Sequence, residues 1–170
     1  VEVLVVDDGS TDESTIAHLA SLAASGVRVV TTPNRGVGAA RNEGGRHARG
    51  ALLCFLDADD RLHPTFLEKA SARLNGDTAL AFVSMWLETF GDEQWVWRQA
   101  HCDLVTLLRE CTVCTAALVR AEAHAAVLAE VHSQRSRRMA DSGVYVDVQR
   151  ETFRKWLANG LGALAPEERK

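Results

Sequence analysis

The chain has 170 residues, 46% of them hydrophobic and 25% charged, with a formal net charge of −4 at pH 7. This length and composition are typical of one soluble globular domain, and the negative balance excludes a general attraction to nucleic acid or acidic lipid. The longest apolar runs, such as 51–56, are too short to span a bilayer, and no signal peptide pattern is visible.

Strand and helix patterns alternate along the first half of the chain. The β-branched run at 1–6 predicts a parallel strand buried on both faces, and Thr11 or Asp12 is expected to cap the next helix. An apolar stripe of that helix is predicted at Ile16, Leu19, Ala20 and Ala23. The following elements are predicted in this order: a strand at 27–32, a helix at 38–49, a buried strand at 51–57, a helix after Pro64 with Phe66, Leu67, Ala70 and Leu74 facing inward, and a strand at 79–90 forming a hairpin with 94–99. The alternation predicts an open, mostly parallel α/β sheet flanked by helices, with ligands at the carboxyl ends of its strands.

The second half of the chain has a less regular pattern. It predicts a short helix at 103–110, a strand at 112–119 and an Ala-rich helix at 120–131. A basic, polar linker at 132–143 is expected to precede an amphipathic last helix, whose apolar residues are Val148, Phe153, Trp156 and Leu157.

Acidic clusters end two of the predicted parallel strands. "VVDDGSTD" places Asp7 and Asp8 after the first strand, and "FLDADD" places Asp57 and Asp59 after the third. Because such strand ends can lie on one edge of a sheet, we expect the clusters to face one crevice. An Asp-x-Asp pair offers the hard oxygen ligands that Mg²⁺ or Mn²⁺ prefers beside substrate phosphates. A solvated acidic turn is the alternative interpretation of each cluster.

A glycine-rich segment at 34–45, "NRGVGAARNEGG", lies between the two acidic clusters. Gly36 and Gly38 allow a close approach of the backbone to a ligand, and Arg41 can meet a phosphate or a base. The spacing also resembles a dinucleotide-binding fingerprint, although Arg41 stands where its third glycine belongs. A dinucleotide-dependent oxidoreductase is therefore an alternative hypothesis.

The four cysteines include a single C-x-x-C at Cys111 and Cys114. A zinc site would need His101 and Cys102 to complete its ligands, whereas reduced thiols in an apolar segment are the simpler interpretation. The spacing does not indicate a disulfide framework, which favours a reducing cytoplasm.

Taken together, "VEVLVVDDGSTDEST" and "NRGVGAARNEGGRHARGALLCFLDADD", at this separation, closely resemble glycosyltransferase family 2. The resemblance is strong over 1–90 and looser over 91–125. It implies an inverting, metal-dependent enzyme of the GT-A fold. In this interpretation 1–125 is a nucleotide-sugar-binding domain, and 126–170 is a helical segment of the same domain that matches poorly.

The resemblance also implies roles for individual residues. The acid matching Asp8 accepts a hydrogen bond from the uracil ring of a UDP-sugar, with Asp7 beside it, and Arg41 supports the base or the diphosphate. Asp57 and Asp59 form the D-x-D motif that binds Mn²⁺ or Mg²⁺. The residues implied to contact the nucleotide-sugar are Asp7, Asp8, Gly9, Ser10, Arg41, Asp57, Ala58 and Asp59. The acceptor, a carbohydrate or a lipid-linked molecule, is not specified by any motif.

The sequence departs from the family pattern in two places. The family's first strand has no match before Val1, and the Glu-Asp pair that carries the general base is not recognisable. Asp141 and Asp147 are the remaining candidates for the base. We therefore expect the chain alone to transfer sugar poorly, and a non-catalytic nucleotide-binding remnant is a further alternative.

Two other features have more than one interpretation. Trp86, Trp95 and Trp97 can stack on sugars, but at least two of them are expected to fill the core. The basic run at 135–138 is expected to be a solvated linker, with a patch peripheral to the membrane as the alternative.

Overall fold

The computed structural model describes residues 1–92, 94–98 and 113–130. In chain order its elements are β1 (Leu4–Asp7), α1 (Glu13–Ala24), β2 (Arg28–Thr31), α2 (Val37–His47), β3 (Leu52–Cys54), α3 (Phe66–Gly76), β4 (Phe82–Val83), β5 (Leu87–Glu88), β6 (Val96–Trp97), β7 (Leu118–Arg120) and α4, the helical residues 121–130. The chain divides into two compact units, Val1–Leu53 and Cys54–Lys170.

The first unit is built on the parallel pair β1 and β2. The register runs from Leu4 opposite Arg28 to Asp7 opposite Thr31. The strand therefore begins at Leu4, because its partner strand begins only at Arg28, after the turn at Gly26. The prediction of a fully buried strand from Val1 is wrong, since Val1 and Val3 are exposed and Leu4 is half-buried.

Helix α1 begins at the residue after Asp12, as one of the two predicted caps requires. Asp12 Oδ2 accepts hydrogen bonds from Thr15 N at 2.8 Å and from the Ser14 hydroxyl at 2.5 Å. These bonds lower the pKa of Asp12. The predicted apolar stripe is wrong in extent, because Ile16 is 48% exposed and only Leu19 of the four is half-buried. A two-stranded sheet covers too little of the helix to bury more.

Helix α2 packs against β1 through a glycine. A Cβ atom added to Gly44 would lie 3.3 Å from Val6 Cγ2, whereas one added to Gly38 would meet nothing within 4 Å. Close packing of helix on strand is the role of the third glycine in a dinucleotide fingerprint. Gly44 takes that role here, three residues beyond Arg41.

The second unit has its core between α3 and the antiparallel pair of β4 and β7. Helix α3 buries Phe66, Ala70 and Leu74, as predicted, while Leu67 is half-buried. On the sheet side the chain buries Cys114, Ala116, Ala117 and Leu118. The predicted strand at 112–119 is shorter than expected, because 115–116 form a turn before β7.

Arg120 ends helix α3 in a way that the sequence pattern does not reveal. Its guanidinium donates to the carbonyl of Leu74 at 2.5 Å and to the carbonyl of Leu80 at 2.8 Å. The last carbonyls of a helix have no partner within the helix, so a side chain from β7 satisfies one of them.

The predicted strand at 79–90 is divided into β4 and β5. Strand β4 pairs antiparallel with β7, and β5 pairs antiparallel with β6, with Leu87 opposite Trp97. The break lies near Ser84, whose hydroxyl accepts a hydrogen bond from Cys114 N at 3.0 Å. The predicted hairpin is confirmed, and the α/β class is confirmed with parallel pairing in the first unit and antiparallel pairing in the second.

Several predicted elements lie outside the described residues. These are the helix at 103–110, the linker at 132–143 and the amphipathic last helix, together with Asp141 and Asp147. They stay predictions. Among the residues that the structure describes, no helix is long and apolar enough to cross a membrane.

Candidate functional site

Asp7 ends β1 as the buried acid of the first unit, with 7% of its surface exposed. Its Oδ1 accepts a hydrogen bond from Ser10 N at 2.9 Å, and its carbonyl accepts from Thr32 N at 2.8 Å. Hydrogen bonds from the Ser10 hydroxyl and backbone lower the pKa of Asp7, and they outweigh the opposite effect of burial. Asp7 is therefore held as an anion by the turn that follows it.

Asp8 binds the segment that leads into α2. Its Oδ2 accepts from Gly36 N at 2.7 Å, and its Oδ1 accepts from Arg35 N at 3.0 Å and from the Thr32 hydroxyl at 3.2 Å. A carboxylate has about four positions that can accept a hydrogen bond, so most of them are already used. The loop after β1 is thereby fastened to the start of the next helix.

Gly9 brings these two segments into backbone contact. Its φ is +78°, and an added Cβ would lie 2.7 Å from Asn34 N. Only glycine fits this position, because the conformation and the space both exclude a side chain. The turn Asp7–Ser10 is thus fixed by its own backbone as well as by its carboxylates.

Arg41 lies in the second turn of α2 and is half-buried. The helix begins after Gly36 without a side-chain cap. Glu43, two residues after Arg41, makes ion pairs with Arg46 at 2.8 Å and Arg35 at 3.8 Å. Thr32, Arg35 and Glu43 were not predicted from the sequence, since their roles depend on contacts that the chain pattern does not encode.

The second acidic cluster is a turn in the second unit. Asp60 N donates to the carbonyl of Asp57 at 3.1 Å, which closes the turn over Ala58 and Asp59. Asp57 is half-buried, and Ala58 and Asp59 are exposed. Within the described ranges, no three or more His, Cys, Asp or Glu residues are grouped to hold a metal ion by themselves. Two carboxylates do suit Mg²⁺ or Mn²⁺, which usually take the remaining ligands from phosphates and water.

The two acidic clusters belong to different units of the chain. The expectation that they face one crevice stays a prediction.

The tryptophans of the hairpin are more exposed than predicted. Trp86 is 60% and Trp95 51% exposed, whereas Trp97 is half-buried. The prediction that at least two of them fill the core is therefore wrong. Two of the three tryptophans of the hairpin lie largely outside the core.

Of the four cysteines, Cys54 and Cys114 lie in the described ranges, where Cys54 is half-buried and Cys114 is buried. Cys54 Sγ donates to the carbonyl of Ala116 at 3.2 Å, and burial raises its pKa. Cys54 therefore has a structural contact, whereas the interpretation of Cys111 and Cys114 as two reduced thiols stays a prediction. His101, Cys102 and Cys111 lie outside the described residues, so the zinc alternative stays untested.

Comparison with known proteins gives a consistent result. Residues 1–134 match the family described as "Glycosyl transferase family 2". The chain is 43% identical over 74 residues to the succinoglycan biosynthesis protein ExoO of Rhizobium meliloti, covering 43% of the chain and 21% of the relative. It is 38% identical over 85 residues to chondroitin synthase of Escherichia coli, covering 49% of the chain and 12% of the relative.

A third relative is the uncharacterized glycosyltransferase YibD of Escherichia coli. It is 39% identical over 69 residues, which cover 40% of the chain and 20% of the relative. The chain therefore spans about a fifth or less of the length of these three proteins.

Proposed function

Because the chain belongs to glycosyl transferase family 2, we propose that it binds a UDP-sugar and takes part in moving the sugar to an acceptor hydroxyl. The proposed transfer inverts the anomeric centre and is assisted by a divalent metal ion. The names of relatives, among them a chondroitin synthase and a succinoglycan biosynthesis protein, support a saccharide as the product class.

The observation that carries this proposal is the fixed turn Asp7–Ser10 at the carboxyl end of β1. Ligands of open α/β sheets bind at such strand ends. Asp8 holds this turn beside the start of α2, where the positive end of the helix dipole favours a phosphate. A turn held by two carboxylates and by a glycine contact has the rigidity that a nucleotide site requires.

The uracil ring and the diphosphate of the UDP-sugar would be bound by different groups of the first unit. Asp8 has about one accepting position left after its three hydrogen bonds, which suffices for a single N–H of uracil. Arg41 supplies a positive charge for the diphosphate. The bond to the base would therefore add to a role that Asp8 already has in the loop.

Asp57 and Asp59 of the second unit would hold the Mn²⁺ or Mg²⁺ ion. When bound, such an ion neutralises charge on the departing nucleoside diphosphate. Both acids belong to the turn that the hydrogen bond from Asp60 N to the carbonyl of Asp57 closes, which supports their use as a pair of oxygen ligands.

Transfer also needs a group that removes the proton of the acceptor hydroxyl, within about 3 Å of it. Asp141 and Asp147 remain the candidates for this base. Acceptor-dependent release of UDP that is lost in Asp141→Asn or Asp147→Asn would assign it. UDP binding without any such release would instead favour the non-catalytic remnant.

The proposal is tested by calorimetry of UDP binding to the full chain. We expect that UDP binding to the unchanged chain needs Mn²⁺ or Mg²⁺. In Asp59→Ala, UDP binding should no longer depend on the metal, because one of the two metal ligands is removed. Asp92→Ala, which removes an exposed acid outside the turn, is the matched control and should behave like the unchanged chain.

Two outcomes would contradict the proposal. UDP affinity that is unaffected by EDTA would remove the metal from it. Binding of NADH, with UDP inert, would favour the dinucleotide-dependent oxidoreductase.

A further inference from the structure

The hairpin β5–β6 has one face on which every described residue is exposed, whereas on the other face only Trp95 is exposed. Exposure alternates along the first strand, where Leu87 and Thr89 are half-buried. The exposed residues on this side are Trp86, Glu88 and Phe90, with Val96 and Arg98 from the second strand. We call these residues, together with Arg61, the hairpin face. Trp86 and Phe90 are 60% and 56% exposed, which is unusual for aromatic rings this large.

Each aromatic ring of the hairpin face has an arginine over it. The Arg61 guanidinium lies 4.9 Å from the centroid of the Phe90 ring, and that of Arg98 lies 5.2 Å from the centroid of Trp86. Stacking holds a guanidinium in place and leaves its N–H edges free to donate in pairs to a carboxylate.

Within the part of the chain that the structure describes, no ion pair neutralises the positive charges of the hairpin face. Across the described ranges, neither Arg61 nor Arg98 has a carboxylate within ion-pair distance. Glu88 lies on the same face, opposite Val96, and Asp92 lies in the turn of the hairpin. The face itself therefore carries two cations and one anion around two exposed rings.

We propose that the hairpin face binds the acceptor of the sugar transfer and that this acceptor is a saccharide bearing a carboxylate, such as a uronic acid residue. The part of each ring that the stacked guanidinium leaves open offers apolar surface to the C–H groups of a pyranose, and the guanidinium forks match a carboxylate. The inference rests on the proposed function, which supplies the need for an acceptor.

The position of Arg61 supports this assignment. It follows directly after the turn Asp57–Asp60 that is proposed to hold the metal, and both belong to the second unit. An acceptor stacked on Phe90 would thus be bound by the residue next to that turn.

The test measures binding of tetragalacturonic acid to the full chain by calorimetry, with its methyl ester as the neutral probe. We expect the acid to bind more tightly than the ester and to weaken as salt is added. Arg61→Gln and Arg98→Gln should each lower the affinity by roughly three- to tenfold, since these ion pairs are exposed. Glu88→Gln should raise the affinity, because it removes the one anion of the face.

Matched variants separate this role from a structural one. Arg73→Gln removes an exposed arginine of α3 in the same unit and should change nothing. Arg98→Lys keeps the charge but loses the paired donors, so it should fall between the unchanged chain and Arg98→Gln. Circular dichroism should stay the same throughout, because all these side chains are exposed.

Equal affinity for the acid and its ester, or no effect of either arginine substitution, would overturn the proposal. So would binding of phosphatidylglycerol vesicles in place of the saccharide, with the same variants defective. UDP binding in the presence of Mn²⁺ is measured separately on each variant, so that a failure of the proposed transfer can be told apart from a failure of the saccharide site. Failure of UDP to bind while the acid still binds would remove the proposed transfer and leave the hairpin face a saccharide site.

Discussion

Asp8 has a structural role that competes with its predicted role in binding. The resemblance assigns it to the uracil ring, while the structure gives its oxygens to Thr32, Arg35 and Gly36. These partners are 24 to 28 residues away along the chain. No local pattern could reveal them, so the sequence predicted the position of the acid but only part of its environment.

Asp8→Ala is expected to weaken uridine binding more than pyrophosphate binding, because the carboxylate addresses the base. Loss of one charge-assisted hydrogen bond costs about 1.5–3 kcal/mol, or roughly ten- to a hundredfold in affinity. Calorimetry with the two ligands measures both losses.

The control for Asp8 is Thr32→Val, which removes one hydrogen bond to the Asp8 carboxylate but keeps the carboxylate itself. It should weaken the two ligands to a similar and smaller extent. Equal losses of uridine and pyrophosphate in Asp8→Ala would mean that this residue only holds the loop.

At the scale of secondary-structure elements, the features that depend on neighbouring residues along the chain were predicted correctly. Asp12 caps α1, α3 buries Phe66, Ala70 and Leu74, and the hairpin forms where it was expected. Strand lengths and the burial of α1 were not predictable, because they depend on how much partner surface the tertiary structure supplies. The hydrogen bond from Arg120 to the carbonyl of Leu74, near the end of α3, likewise comes from a strand residue that lies 46 residues further along the chain.

The contact of Gly44 with β1 should control the packing of α2. Gly44→Leu is expected to lower the free energy of unfolding by about 1–3 kcal/mol, since a side chain is forced against Val6. Urea denaturation monitored by far-UV circular dichroism gives this value.

Gly38→Leu is the matched control in the same helix. It should change the free energy of unfolding by less than about 0.5 kcal/mol, or raise it, because nothing lies within 4 Å and leucine favours a helix. Equal destabilisation by the two substitutions would show that propensity, and not the contact with Val6, sets the stability of α2.

At the scale of the whole molecule, a fall in pH should destabilise the first unit. Glu2, Asp7 and Asp12 all lie in it, and each has a pKa below its ordinary value. For Glu2 the largest cause is the hydrogen bond from the backbone N–H of Arg49. A lowered pKa in the folded state stabilises the fold above the unfolded value of about 4, and that stability is lost as the pH falls through the folded value.

Hydrogen exchange followed by mass spectrometry between pH 5 and pH 2, corrected for the intrinsic exchange rate, measures this loss. Protection of β1, α1 and β2 should fall with the pH. Asp7→Asn should reduce the pH dependence, because one of the three titrating groups is removed. Protection of these elements that does not change over this range would contradict the linkage.

The division of the chain at Leu53 has an optical and chemical consequence. The first 53 residues contain no Trp, Tyr, Phe or Cys, while every residue of these four types lies beyond them. Absorbance at 280 nm, intrinsic fluorescence and thiol labelling therefore all report on the second unit, and the turn Asp7–Ser10 is silent in each. A single tryptophan in place of the exposed Val37, at the start of α2, would give the first unit its own fluorescent signal.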